Sequence, residues 1–158
     1  MRIGVTGHQD IPPQALQYVA RETNAFLDHV ADNFIGISSL AAGADQLFAS
    51  LVLERGGRLE VVLPCRAYET SFLRQENLKN FHALLARAAT VETLSFDEPS
   101  EDAYLAAGHR VVDLSQVLLA VWDGQPARGK GGTADIVKYA KHQGTQLEVI
   151  WPKGMKRG

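Results

Sequence analysis

Residues Val117-Leu118-Leu119-Ala120-Val121-Trp122 form an apolar run with no polar alternation. A strand of that kind must be covered on both faces, which is the situation inside a parallel sheet flanked by helices. The run leads into Asp123-Gly124 and then Gly129-Lys130-Gly131-Gly132-Thr133-Ala134-Asp135, a glycine-rich loop that opens a helix. Glycine lets the backbone approach an anion without a Cβ in the way. Free N–H groups at a helix start, aided by the macrodipole, then hold negative charge. The N-terminal segment Arg2-Ile3-Gly4-Val5-Thr6-Gly7-His8 repeats this layout. Two such exits in one small chain point to a ligand carrying phosphate or ribose.

The rest of the chain alternates in the same way. Pro12-Pro13 starts a helix that runs to about residue 31, and Phe34 to Ser38 reads as a strand. Ala41 to Arg55 is a helix stopped by Gly56-Gly57, and Leu59 to Leu63 is a third strand. A helix over Thr70 to Ala88, a strand over Thr90 to Leu94, a helix over Asp102 to Leu114, a helix over Thr133 to His142 and a strand over Leu147 to Trp151 complete the pattern. Short apolar strands separated by helices predict an α/β architecture. The expected form is a three-layer, doubly wound sheet of five to six mostly parallel strands. Ligands in such sheets bind beyond the carboxyl ends of the strands, where the winding reverses. The two glycine exits meet there if the Ile3 strand lies beside the Val117 strand.

At 158 residues the chain reads as one domain over 1–152 followed by a basic tail, 153–158. The tail, Lys153-Gly154-Met155-Lys156-Arg157, is the only basic cluster, and a solvated terminus explains it. The net charge of −2 argues against a nucleic-acid partner. One cysteine, Cys65, excludes an internal disulfide and fits a cytoplasmic setting. No apolar run is long enough for a membrane span, and no signal peptide precedes the first strand. The apolar content of Phe72 to Leu85 exceeds one buried face, which suggests a homo-oligomer.

Taken together, Thr6-Gly7-His8, Ser38-Ser39-Leu40-Ala41-Ala42-Gly43-Ala44-Asp45 and Gly131-Gly132-Thr133 resemble the SLOG superfamily. That Rossmann-like group includes the Lonely Guy phosphoribohydrolases, the lysine decarboxylase-like proteins and the DNA-processing protein DprA. The resemblance implies a nucleotide-derived ligand. Its hydrolase branch carries Pro-Gly-Gly-x-Gly-Thr-x-x-Glu and an upstream arginine. Here Gly132-Thr133 matches the Gly-Thr step, but the proline is missing and Ile136 stands at the glutamate position. Asp135 is one residue away, about 100° around the helix. Arg110 is the nearest match to the arginine. These departures favour a sensor or carrier over a hydrolase; a phosphoribohydrolase or transferase using Asp123, Asp135 or His8 is the rival, and a protein-interaction module with a vestigial pocket is a third class.

The candidate ligand contacts are Gly7, His8, Ser38, Ser39, Gly43, Asp45, Arg66, Asp123, Gly124, Lys130, Gly131, Gly132 and Thr133. Each has a plainer reading. Gly7 and Gly124 suit turns, and Ser39 and Asp45 suit a helix start. Asp123 can order its own turn instead of holding a ribose hydroxyl. Arg66 and Tyr68 can stack on or pair with a ligand, or simply lead into a helix. Lys130 precedes the final glycines, so no P-loop is present, and it serves as a point charge or is solvated. The five histidines show no i, i+4 pairing, no Gly-x-Ser-x-Gly elbow occurs, and neither a metal nor a cofactor is expected.

Overall fold

A computed structural model describes residues 1–157. In chain order the elements are β1 (Arg2–Gly7), α1 (Pro13–Asp28), β2 (Ile35–Ser38), α2 (Ala44–Glu54), β3 (Arg58–Leu63), α3 (Gln75–Ala86), β4 (Thr90–Thr93), α4 (Glu101–Leu114), β5 (Val117–Val121), α5 (Thr133–Gln143) and β6 (Gln146–Val149). The six strands pair in the order β4-β3-β2-β1-β5-β6, and every pairing is parallel. β1 therefore sits beside β5, with Ile3 opposite Val117 and Gly7 opposite Val121. The winding reverses between them, so the two glycine exits share one crevice as their spacing predicts.

The unbroken apolar run of β5 is explained by its two covered faces. Val117, Leu119 and Val121 join Val19, Leu27, Phe48 and Val52 on the side of α1 and α2. Leu118 turns to the other side, among Val111, Val112, Ile136 and Ala140 of α4 and α5. A third cluster, with Phe81 and Leu84 of α3 against Leu59 and Val61 of β3, absorbs the apolar surface of α3. The excess read over Phe72 to Leu85 is largely consumed there; Leu73 alone stays 98% exposed.

One predicted helix divides. Between Pro64 and α3 the chain makes a short 3₁₀ turn, Tyr68–Ser71, then runs extended through Phe72 and Arg74. Thr70 Oγ1 donates to the Ala67 carbonyl and Ser71 Oγ to the Tyr68 carbonyl. Side chains that engage local carbonyls compete with the helical ladder, and the helix starts only at Gln75.

Candidate functional site

The carboxyl end of β1, the loop after β2, the first turns of α2 and α5, and residues of α3 and α4 surround a cleft of about 1270 Å³. Gly7 is required where β1 leaves the sheet, for a reason other than ligand approach. A Cβ there would lie 2.4 Å from Ala44 Cβ and 2.8 Å from Val121 Cβ, so its absence lets α2 pack onto the strand end. His8 follows, 6% exposed, its ring edge-on to Trp151. The Asp123 N–H donates to His8 Nε2 at 3.0 Å. Nε2 also lies 3.1 Å from Asp123 Oδ1, and Nδ1 faces Thr133 Oγ1 at 3.5 Å. Burial holds His8 below the ordinary histidine range, and Arg157 and Arg128 add to the effect against the opposing pull of Asp123. A neutral His8 thus links the end of β1 to the start of α5.

Asp123 lies behind two lining residues, His8 and Arg157, and is not itself part of the lining. Its Oδ1 accepts the Gln125 N–H at 3.0 Å, and its Oδ2 lies 3.0 Å from Arg157 Nε. Burial works to raise the Asp123 carboxyl, but these partners and His8 outweigh it and hold it below its usual range. Asp123 and Gly124 therefore build a turn. Arg157, read in sequence as part of a solvated tail, is only 11% exposed. It reaches Asp123 and donates to the Pro126 carbonyl at 2.6 Å, and it lines the cleft beside His8. Trp151 Nε1 donates to the Met155 carbonyl, which folds the tail back toward the sheet. Replacement of Arg157 by Ala is expected to raise the His8 pKa, measurable by NMR titration. It should also cost about 1–3 kcal/mol in chemical denaturation, because a buried carboxylate loses its cation.

The glycine loop is differently arranged from a phosphate cradle. Lys130 N–H donates to Glu101 Oε1 at 3.2 Å, Gly131 N–H to Asp135 Oδ2 at 3.0 Å, and Gly132 N–H to the Gly129 carbonyl at 3.2 Å. The Lys130 ammonium pairs with Asp102 on the outer side. Gly131 holds φ 86° against the backbone of Leu105, so this glycine serves the packing of the loop on α4. Beyond the loop the situation changes. Among the described residues, neither the Thr133 nor the Ala134 N–H is hydrogen bonded, and no side chain caps α5. These two donors, with Thr133 itself lining the cleft, are open to an anion.

The exit of β2 is locked by its own side chains. Ser38 Oγ accepts the Leu40 N–H at 3.0 Å and donates to the Asp45 carbonyl at 3.2 Å, beneath the cleft and not in its lining. Leu40 adopts φ 58° with its side chain fully buried. Gln46 Nε2 donates to the carbonyls of Leu40 and Asn77, tying this loop to α3. Ser39, Gly43 and Asp45 do line the cleft. The Asp45 carboxylate accepts the Ala41 N–H at 3.4 Å. Burial pushes the Asp45 carboxyl up to about 7, against the opposing backbone hydrogen bonds.

Of the residues singled out in the sequence, the structure gathers Gly7, His8, Ser39, Gly43, Asp45, Lys130, Gly131, Gly132 and Thr133 around one cleft. It leaves Ser38, Arg66, Asp123 and Gly124 outside the lining. Arg66 is exposed and pairs with Asp97 at 2.6 Å. The position aligned with the hydrolase glutamate, Ile136, is buried in the core. Arg110 pairs with Glu92 at 2.8 Å, away from the cleft. Sequence reasoning missed Arg74, Asn77, Tyr104, Arg128 and Arg157, all lining residues. Only Arg128, within the glycine-rich loop, carried a local signal.

No family model matches the sequence, and no curated protein does. Solved structures do match. DNA processing protein A from Helicobacter pylori, described for its single-stranded DNA binding mode, superimposes with a TM-score of 0.72 at 16% identity. The match covers 99% of this chain and 68% of that one. The Streptococcus pneumoniae DprA structure gives 0.71 at 14% identity over 98% of this chain and 52% of that one. The fold, a Rossmann-like parallel sheet covered by helices on both faces, is the one these structures share. The Moco carrier protein of Chlamydomonas rheinhardtii gives 0.55 at 18% identity, over 94% of this chain and 74% of that one. The chain thus spans about half the length of the S. pneumoniae protein. These neighbours also correct one expectation. A net charge of −2 does not set nucleic acid aside, because a protein of the same fold is described for its single-stranded DNA binding mode. Net charge sums over the surface, whereas binding depends on where the charges lie. Among the described residues, no helix is long and apolar enough to cross a membrane.

Proposed function

We propose that this SLOG-type domain binds a nucleotide or nucleotide-derived ligand in the cleft, as a sensor or carrier in the cytoplasm, with the ligand's phosphate at the start of α5. The observation that carries this reading is the pair of unbonded N–H groups at Thr133 and Ala134, the first of these residues lining the cleft together with Arg128 and Arg157. A hydrolase of the Lonely Guy type is disfavoured. Ile136 offers no carboxylate, Arg110 is spent on Glu92, and the His8 ring is engaged by Asp123 and Thr133.

The same cleft has a second reading, a segment of single-stranded nucleic acid. Its volume of about 1270 Å³ exceeds what small-molecule sites usually need, roughly 300–1,000 Å³. Its far rim also presents Leu73, almost fully exposed, next to Arg74. Such a rim suits an unstacked base and the phosphate that follows it.

Calorimetric titration with a nucleotide panel, run beside anisotropy with a labelled oligothymidylate, separates the readings. Proline is tolerated at the first helical position, so Thr133→Pro removes one N–H while keeping α5. It is expected to weaken phosphate-ligand binding by about 10- to 100-fold, the usual worth of a hydrogen bond to a charged group. Thr133→Val, which keeps the N–H, should lose less. Equal binding by Thr133→Pro and wild type would remove the α5 terminus from the site.

A further inference from the structure

The two walls of the cleft differ in chemistry. The α5 wall carries the unbonded N–H groups of Thr133 and Ala134, and Arg128 and Arg157 add positive charge to the lining. The α2–α3 wall offers Ser39, Gln46, Asn77, an exposed Arg74 and Glu76, and one buried carboxyl, Asp45. Asp45 is 8% exposed, and no lysine, arginine or histidine lies within ion-pair distance of it among the described residues. Two backbone donors reach it, the Ala41 N–H at 3.4 Å and the Ser39 N–H, which leaves part of its acceptor capacity open, and a neutral amide oxygen would serve the loop as well. A buried carboxylate without a cation is disfavoured unless hydrogen-bond donors complete it. A ligand can supply such a donor. A phosphate cannot, because it only adds like charge.

We infer that Asp45 is a specificity-determining residue that accepts a hydrogen bond from an exocyclic amino group, so that the cleft takes an amino-bearing nucleobase at the α2–α3 wall with its phosphate toward α5. This rests on the proposed nucleotide reading and fixes the ligand's orientation. Tyr68, itself buried next to Asp45, and Tyr104 supply aromatic surface on the same wall. Rejection of the analogue without the donor follows from leaving the carboxylate unpaired in its burial.

Two ligand pairs differ only by the amino group: AMP against purine riboside 5′-monophosphate, and GMP against IMP. Calorimetry on wild type is expected to show a preference of about 10- to 100-fold for the amino-bearing member of at least one pair. Asp45→Asn, which keeps a neutral acceptor, should weaken that preference, and Asp45→Ala should abolish it while binding ribose 5-phosphate, which has no base, as wild type does. Equal affinities within both pairs for wild type would overturn the inference and leave the nucleotide reading standing. So would a preference that survives in Asp45→Ala, or a parallel loss of ribose 5-phosphate binding, which would make Asp45 only a support for its loop. If wild type binds no nucleotide, the underlying reading falls and this inference with it.

Discussion

Replacing Gly43 with Ala is expected to destabilise the protein by about 3 kcal/mol or more and to abolish ligand binding in whatever fraction stays folded. Gly43 caps α2 with φ 83° and ψ −123°, a conformation outside the regions open to residues with a Cβ. Space is lacking as well. A Cβ would lie 2.4 Å from the Gln9 carbonyl oxygen and 2.6 Å from that of His8. Both obstacles are backbone, so no side chain can swing away. The Ala44 N–H donates to the same His8 carbonyl at 3.1 Å, so relieving the clash breaks the contact that joins α2 to the end of β1. Urea denaturation monitored by circular dichroism measures the loss. A variant as stable as wild type would mean that the β1 exit and the α2 start can separate freely, and the cleft geometry would not hold.

The second large effect concerns pH. Asp45 has its carboxyl raised from an ordinary 3.8 to about 7 by burial. The folded state therefore binds the proton more tightly than the unfolded chain. By linkage, stability falls as pH rises wherever the native state holds more protons. The penalty is absent below the unfolded value, grows between pH 3.8 and about 7, and is flat above. Its ceiling is on the order of 4 kcal/mol, since each pKa unit corresponds to about 1.4 kcal/mol. Asp45→Asn, which keeps an acceptor for the Ala41 N–H, should be no more stable than wild type near pH 4 and clearly more stable at pH 8. His8 acts in the opposite direction: its lowered pKa makes stability fall as pH drops through its range. The difference between variant and wild type, rather than the wild-type curve, is thus the quantity to follow. A difference independent of pH would show that the carboxyl titrates normally.

A residue kept at such a cost in a cleft is a familiar sign of function, since perturbed carboxyls concentrate at ligand sites. Nothing near Asp45 in the sequence announces this. Its position in the first turn of α2 suggests an ordinary helix start, and its burial depends on α3 and the 3₁₀ turn closing over it. Local pattern and tertiary environment pull apart in the same way at the glycine loop. Spacing alone points to a phosphate cradle over Gly129 to Gly132. The folded loop instead gives its N–H groups to Glu101, Asp135 and Gly129, and the unbonded N–H groups lie one step along, at the start of α5.

What the sequence determined by itself is the layered fold and the place of the cleft. Strand and helix identity is written in short-range periodicity, and the right-handed crossover rule then brings β1 beside β5 with little freedom left. The apolar run at Val117 and the glycine exits at Gly7 and Gly131 needed no distant information. The occupants of the cleft were decided by tertiary structure alone. Arg157 reaches Asp123, Lys130 turns out to Asp102, Arg66 leaves for Asp97, and Asp45 loses its water. The physical reason is that charge pairing and desolvation depend on distances through space between residues far apart in the chain, and neither spacing nor net charge encodes them.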